Sequence, residues 1–126
     1  MSGYRQLLYH IIIHTKYNRR TISLANSEHL YVYIAGIIKN KNSRLFRING
    51  VENHIHILTD IHPSIALADM VREIKSKSSM WMKRCGLFPD FKGWSVSYGV
   101  FTCSYKDMNR IIEYIKNQRV HHSPGP

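Results

Sequence analysis

Apolar positions along this chain change their spacing from one segment to the next, and the spacing predicts the elements. Residues 7–15 form an apolar, β-branched run that predicts a first strand. Residues 28–40 carry apolar side chains three and four positions apart, which predicts an amphipathic helix with Ser27 as its N-cap. The buried face of this helix is predicted to consist of Leu30, Ile34, Ile37 and Ile38.

The middle and the end of the chain repeat this alternation. A loosely alternating segment over residues 43–48 predicts a second strand that ends at Asn49-Gly50, because this dipeptide favours tight hairpin turns. Residues 54–61 predict the third strand. The remaining elements are predicted to be a helix over residues 63–84 that stops at Gly86, a strand over 95–103 and a last helix over 108–121.

The order strand, helix, strand, strand, helix, strand, helix predicts an α+β fold of the ferredoxin-like, split βαβ type. Its antiparallel sheet is expected to carry the first two helices on one face and to leave the other face open. The extra C-terminal helix carries Tyr114. We expect residues 1–122 to form a single domain and residues 123–126 a disordered tail.

Length and composition agree with one small globular domain. The 126 residues are 44% hydrophobic, which is enough for one core. No apolar run approaches the roughly 18–20 residues of a membrane span, and the N-terminus lacks a signal-peptide pattern. We therefore expect a cytoplasmic protein without a membrane partner. Cys85 and Cys103 are too isolated for a disulfide framework and are expected to be partly buried thiols.

The strongly positive net charge indicates what kind of partner the protein binds. Eighteen Lys and Arg against eight acidic residues give a formal charge of +10, which favours a polyanion, most commonly nucleic acid. The alternative is a basic surface that only solvates the protein. The candidate DNA-contacting residues are His10, Lys16, Tyr17, Arg19, Arg20, Arg72 and Lys75.

His54-Ile55-His56 lies within the predicted third strand. Because side chains alternate faces along a strand, both imidazoles point to one side, where they are able to hold a single metal ion. The alternative is a pair of ordinary strand histidines, hydrogen-bonded or solvated. Two nitrogens leave a metal under-coordinated, so a third ligand is required from elsewhere.

The last predicted helix offers that ligand and a nucleophile. Tyr114 and Gln118 are four residues apart and share the polar face, opposite the apolar stripe. A metal that polarises a phosphodiester would assist attack by the Tyr114 phenol, and the amide oxygen of Gln118 is a candidate ligand to the same metal. The product would be a 5′-phosphotyrosine and a free 3′-hydroxyl. A surface tyrosine packed on a loop is the alternative.

Four ordered motifs give the chain a resemblance to a known family. The sequence resembles the single-tyrosine HUH transposases of the smallest bacterial insertion sequences, the IS200-like transposases. The similar segments are Tyr9-His10 with His14-Thr15-Lys16-Tyr17 and Arg19-Arg20, then Glu52-Asn53-His54-Ile55-His56-Ile57-Leu58, then Ser97-Tyr98-Gly99-Val100-Phe101, then Tyr114-Ile115-Lys116-Asn117-Gln118 followed by His121-His122.

This resemblance implies a DNA endonuclease and strand transferase that excises and inserts a small element. It implies His54, His56 and Gln118 as ligands of Mg²⁺ or Mn²⁺, and Tyr114 as the nucleophile. It also implies single-stranded DNA with hairpin ends as substrate, and a homodimer whose active sites combine the histidines of one subunit with the tyrosine helix of the other. Asn53 departs from the family's usual Asp.

Two other functions fit parts of the sequence. A domesticated relative would use the same chemistry on repeated genomic hairpins. A non-catalytic nucleic-acid-binding module would stack bases on strand aromatics such as Tyr9 and Phe101, but it would leave the histidine pair and the tyrosine helix without a role.

Overall fold

Alternating hydrophobic strands and amphipathic helices build one sheet with helices on both faces. The computed structural model describes residues 7–119. Short 3-10 turns lie at Lys16–Asn18, Leu24–Asn26 and Tyr105–Asp107. The longer elements are β1 (Leu7–Thr15), α1 (Ser27–Asn40), β2 (Leu45–Val51), β3 (His54–Thr59), α2 (Leu67–Arg84), β4 (Trp94–Ser104) and α3 (Met108–Lys116).

The four strands form an antiparallel sheet in the order β2-β3-β1-β4. β1 and β3 occupy the centre, and their odd-numbered isoleucines point to the face that α1 and α2 cover. Ile11, Ile13, Ile55 and Ile57 are fully buried there. The predicted α+β, ferredoxin-like architecture is confirmed, together with the first strand and the buried face of α1.

The opposite face, predicted to be open, is partly covered. α3 packs across β2 and β3, and Ile115 is buried against Leu8 and Leu58 in a second, smaller core. α3 covers this part of the face because its apolar side packs against Leu8 and Leu58. The helix ends at Lys116, before the predicted end at His121, which lies outside the described residues.

The predicted turn at Asn49-Gly50 is wrong. β2 continues through both residues, which pair with His56 and Ile55, and the turn falls at residues 52–53. Tertiary pairing overrides the local preference of the dipeptide here. Gly50 is needed for a steric reason, because a Cβ atom would overlap the carbonyl oxygen of His54 and lie 2.7 Å from Cα of Ile55.

Two helix starts also differ from the prediction. Asn26 takes the cap position of α1, because the preceding 3-10 turn runs directly into the helix, and the hydroxyl of Ser27 donates to the carbonyl of Leu24. α2 begins at Leu67 rather than at Pro63. The residues before it form a local turn in which the amide of Ser64 donates to Nδ1 of His62.

The predicted tail at 123–126 lies outside the described residues. Within residues 7–119, no helix is both long enough and apolar enough to cross a membrane. Cys85 and Cys103 are free thiols of intermediate exposure, as predicted.

Replacing Gly50 with alanine tests the close approach in β2. The added methyl group meets backbone that cannot move without breaking the β2–β3 pairing, so the free energy of unfolding should fall by about 1–3 kcal/mol. Urea denaturation followed by circular dichroism measures the change.

Gly36 in α1 provides the matched control, because a Cβ atom there meets no atom within 4 Å. Gly36→Ala should stabilise the protein by about 1 kcal/mol through helix propensity. Equal effects of the two substitutions would contradict the steric role of Gly50.

Candidate active site

Two neighbouring strands bring four histidines to the face that α3 partly covers. In the β1–β3 register, His14 lies opposite His54, and Ile12 lies opposite His56. His10 lies two residues before Ile12 on β1, so it contacts His56 diagonally across the two strands. The rings of His54 and His56 have centroids 5.1 Å apart, and those of His10 and His56 are also 5.1 Å apart. The histidine pair predicted from period two therefore lies on one face, with His10 and His14 beside it.

His54 is held by its neighbour in the β2–β3 turn. Its Nδ1 atom lies 2.8 Å from Oδ1 of Asn53. The carbonyl of Asn53 accepts a hydrogen bond from the amide of Thr15 at the end of β1, which fixes the turn. Asn53, where the family pattern has Asp, thus makes the contact with the histidine that a carboxylate oxygen would make.

His56 is held from β1. Its Nδ1 atom lies 2.8 Å from Nε2 of His10, and both residues are buried. Burial lowers the pKa of His10 and so favours its neutral form. His10, predicted as a DNA-contacting residue, therefore lies within hydrogen-bond distance of a candidate metal ligand.

Tyr114 projects from α3 toward the same histidines. Its ring centroid is 5.9 Å from that of His56 and 6.2 Å from that of His10. The tyrosine is 47% exposed, so its phenol is accessible to a substrate. The next residue, Ile115, is fully buried and anchors this turn of the helix.

β2 and the segment after α3 fasten the helix at its C-terminal end. The side-chain amide of Asn49 donates to the last carbonyl groups of α3, those of Ile115 at 3.2 Å and Lys116 at 3.1 Å. Arg119 donates to the hydroxyl of Ser27 at 2.6 Å. Neither residue was predicted as part of the site, because an asparagine in a turn-like dipeptide gives no sequence signal for capping a distant helix.

The sequence predicted an uninterrupted helix with Gln118 on its exposed polar face, but Gln118 is fully buried. α3 ends at Lys116, where Asn117 takes φ −95° and ψ 15°. Gln118 follows the buried Ile115 by three positions, so helical spacing places it next to the buried stripe as well as one turn after Tyr114. Nε2 of Gln118 donates to the carbonyl of Tyr114 at 3.3 Å. Among residues 7–119, its buried Oε1 atom has no hydrogen-bond partner.

A divalent cation fits the donor types available here, which are the imidazole nitrogens of His54 and His56 and the amide oxygen of Gln118, with the remaining positions open to water or substrate oxygens. Across the described chain, no cluster of three His, Cys, Asp or Glu side chains is arranged to hold a metal. A site built on His54 and His56 therefore requires a donor of another type, and the unsatisfied amide oxygen of Gln118 is one.

The basic turn after β1 adjoins the site. His14 stacks on His54 with ring centroids 5.0 Å apart, and its Nδ1 lies 3.2 Å from Oδ1 of Asn18. Tyr17 is 75% exposed and has a left-handed backbone, φ 57°. Lys16 and Arg19 each place their charged groups 5.5 Å from the Tyr17 ring, and Arg20 pairs with Glu52.

A cleft of about 570 Å³ lies on the other side of β4, between this strand and α2. Lys75 donates to the carbonyl of Val96 at 2.9 Å and lies 5.9 Å from the Tyr98 ring centroid. Burial lowers the pKa of Lys75. Arg72 pairs with Asp69 on the cleft rim. The cations that line the cleft are Lys16, Arg72, Lys75 and Lys92.

Phe101 is a further residue near the site. It is 61% exposed on β4, opposite His10 in the sheet, and the two ring centroids are 6.0 Å apart. The structure thus separates the predicted DNA-contacting residues: His10 is inside the histidine cluster, Lys16 to Arg20 form the adjoining turn, and Arg72 and Lys75 lie on the cleft.

Comparison with known sequences identifies relatives of the whole described chain. A family model described as "Transposase IS200 like" matches residues 4–118. The "Transposase for insertion sequence element IS200" of Salmonella typhimurium is 27% identical over 117 residues, which cover 87% of this chain and 75% of that protein. The "ISDra2 transposase TnpA" of Deinococcus radiodurans is 25% identical over 120 residues, covering 90% and 84%.

Solved structures share the fold. A Deinococcus radiodurans crystal structure, described as that of a transposase candidate, superposes with a TM-score of 0.72 at 27% identity and covers 94% of this chain and 95% of that one. A REP-associated tyrosine transposase bound to a REP hairpin gives a TM-score of 0.69 at 16% identity, covering 98% and 72%.

Proposed function

The chain belongs to the IS200-like transposase family, and on that basis we propose that it cleaves and rejoins single-stranded DNA through a covalent bond to Tyr114. The observation that carries this proposal is the position of the exposed Tyr114 phenol beside the His56 ring, 5.9 Å between centroids. His54, His56 and Gln118 are the proposed metal ligands, and Mg²⁺ or Mn²⁺ is the proposed cofactor. A domesticated relative would use the same chemistry on genomic hairpins, whereas a non-catalytic module would bind DNA without forming an adduct.

The proposed reaction exchanges one phosphodiester for another. The Tyr114 oxygen attacks the scissile phosphorus and forms a 5′-phosphotyrosine, while the bond from phosphorus to the 3′-oxygen breaks. The phenol loses its proton and the departing 3′-oxygen gains one, so charge and atoms balance. When a divalent cation is bound, it supplies the Lewis acid that neutralises charge on the phosphate. In the rejoining step a new 3′-hydroxyl attacks the phosphotyrosine and releases the Tyr114 phenol. Because one phosphodiester replaces another, this step needs no nucleotide cofactor.

Single-stranded DNA with hairpin ends is the proposed substrate. The formal charge of +10 and the basic turn around Tyr17 support a nucleic-acid partner beside His54. An exposed tyrosine with two cations nearby suits stacking on an unpaired base whose phosphates those cations contact. The cleft with Arg72 and Lys75 is proposed as a second site of contact with the DNA backbone, because Lys16 belongs to both the turn and the cleft lining. A relative of this fold is described as bound to a hairpin.

A homodimer is proposed on the basis of the β4 edge. β4 forms one border of the described sheet and exposes apolar side chains, with Val96 at 95% and Phe101 at 61%. A long exposed edge strand favours pairing with a second copy. Strand pairing across a two-fold axis would bring two copies of β4 together and cover this edge.

Composite sites are proposed from the connection of α3. Only the 3-10 turn Tyr105–Asp107 joins β4 to α3. In the single chain Tyr114 lies beside its own His56, and the same contacts are available to the corresponding residues of a second copy. A change of direction at this turn would therefore exchange α3 between subunits.

Tyr114→Phe tests the nucleophile. It should abolish covalent protein–DNA adducts while binding persists, because the ring remains and only the attacking oxygen is lost. The assay uses hairpin oligonucleotides with randomised flanks and Mn²⁺, with denaturing gels to detect adducts. A 3′-end label should become protein-linked, and a 5′-end label should be released on a free fragment.

Tyr33→Phe is the control, because Tyr33 stacks on Trp81 in the helix layer and loses only a hydroxyl group. Adducts should also disappear in EDTA. Undiminished adducts from Tyr114→Phe would overturn the assignment, and binding without any adduct from the unaltered protein would favour the non-catalytic module.

Mixing two inactive variants tests the composite site. In a re-equilibrated mixture of Tyr114→Phe with a His54→Ala, His56→Ala double variant, composite sites should restore cleavage to about a quarter of the unaltered level, since half of the dimers would be mixed and each would hold one intact site. Adduct yield provides the measurement. No recovery in mixed dimers, verified by differential tags, would assign Tyr114 to its own subunit.

The α2–β4 cleft is tested through salt dependence. Replacing Arg72 and Lys75 with glutamine should flatten the slope of log affinity against log salt, by about 1.4 for two single-strand phosphate contacts. Fluorescence anisotropy of a labelled oligonucleotide measures the slope. Lys39→Gln with Arg84→Gln removes the same charge away from the cleft and should leave the slope unchanged; equal slopes for both pairs would exclude a contact in the cleft.

A further inference from the structure

A buried hydrogen bond links one of the proposed metal histidines to a histidine on the neighbouring strand. Nε2 of His10 lies 2.8 Å from Nδ1 of His56, and the two residues are 8% and 4% exposed. The diagonal register of β1 and β3 fixes this contact, because Ile12 lies directly opposite His56. Both rings are therefore held by strands in the middle of the sheet rather than by a loop.

The same ring atom is engaged in both proposed ligands. Nδ1 of His54 lies 2.8 Å from Oδ1 of Asn53, which is able only to accept. His54 therefore carries its proton on Nδ1 and its lone pair on Nε2. In His56 the Nδ1 atom faces His10, so Nε2 is the nitrogen that would bind a cation, and a proton on Nδ1 keeps the lone pair on Nε2.

We infer that His10 is a positioning residue for the proposed reaction: it accepts a hydrogen bond from Nδ1 of His56 and so holds that ring in the orientation and tautomer in which Nε2 binds the cation. The inference rests on the proposed function. It assigns the proton of His10 itself to Nδ1, since its Nε2 is the acceptor.

His10 is not a third ligand in this arrangement. Within residues 7–119 no three histidine, cysteine or acidic side chains are grouped to hold one metal ion. The nitrogen of His10 that faces the cluster is occupied by the hydrogen bond to His56. Partners of this kind typically change metal affinity by about 10–100-fold when they are removed.

His14 provides an internal contrast. It stacks on His54 at 5.0 Å, but its Nδ1 lies 3.2 Å from Oδ1 of Asn18. It therefore contributes a ring contact to the pair without a hydrogen bond that would select a tautomer. A variant at His14 controls for the general effect of changing a histidine next to the site.

The first experiment reads the tautomer directly in metal-free protein. Long-range ¹H–¹⁵N spectra at pH 8 should show His56 with its proton on Nδ1 in the unaltered protein and in His10→Gln, whose side chain retains an acceptor. His10→Leu should shift His56 toward the Nε2–H tautomer. His10→Asn, too short to reach, should behave like His10→Leu and preserves the test if leucine prevents folding.

The second experiment measures Mn²⁺ affinity by electron paramagnetic resonance, with folding checked by thermal melting. His10→Leu and His10→Asn should weaken binding about 10–100-fold. His10→Gln should recover most of the affinity, and His14→Leu should retain it. An unchanged His56 tautomer together with unchanged affinity in His10→Leu and His10→Asn would overturn the inference.

Failure of the proposed function would have a different signature. If His54→Ala with His56→Ala binds Mn²⁺ as well as the unaltered protein, the proposed metal site is wrong, whatever the His10 variants do. If that double variant loses the metal while the His10 variants behave like the unaltered protein in both experiments, only the positioning role of His10 is wrong.

Discussion

The antiparallel pairing of β1 with β3 is the constraint on which the rest of the structure depends. Its register places His14 opposite His54 and brings His10 diagonally to His56 on one face. The same register buries Ile11 and Ile57 on the other face, under α1 and α2. A slip of one residue would exchange the two faces, sending the histidines into the apolar core. Hydrophobic burial on one side of the sheet thus fixes the polar geometry on the other.

Sequence alone predicted the parts of the site that depend on period. Strand alternation was sufficient to put His54 and His56 on one face, and helical spacing was sufficient to put Tyr114 opposite the buried stripe of α3. It did not predict the burial of Gln118, because the spacing from Tyr114 assigned the residue to the polar face although it also follows the buried Ile115 by three positions. Nor did it predict that Asn49 would cap α3, since that contact joins residues far apart in the chain.

In the proposed function, buried and exposed polar groups would contribute to nucleic-acid binding in different ways. The histidine face holds buried, hydrogen-bonded groups, whereas exposed cations lie on the turn after β1 and around the α2–β4 cleft. An exposed cation such as Arg72 would attract a phosphate backbone at little desolvation cost, whereas partial burial disfavours the charged form of Lys75. Tyr17 and Lys16, at the end of β1, connect these two regions.

The Asn49-Gly50 dipeptide also bears on how the chain folds. Its local preference is to form a hairpin turn of its own, which would bring Leu45, rather than Val51, opposite His54. The observed pairing instead puts Leu45 opposite Thr59, on the face that α1 and α2 cover, because the register shifts between Leu45 and Arg47. The local hairpin would turn Leu45 to the histidine face, since residues directly opposite each other in a sheet share a face. Packing of Leu45 against the main core therefore favours the longer hairpin over the local one.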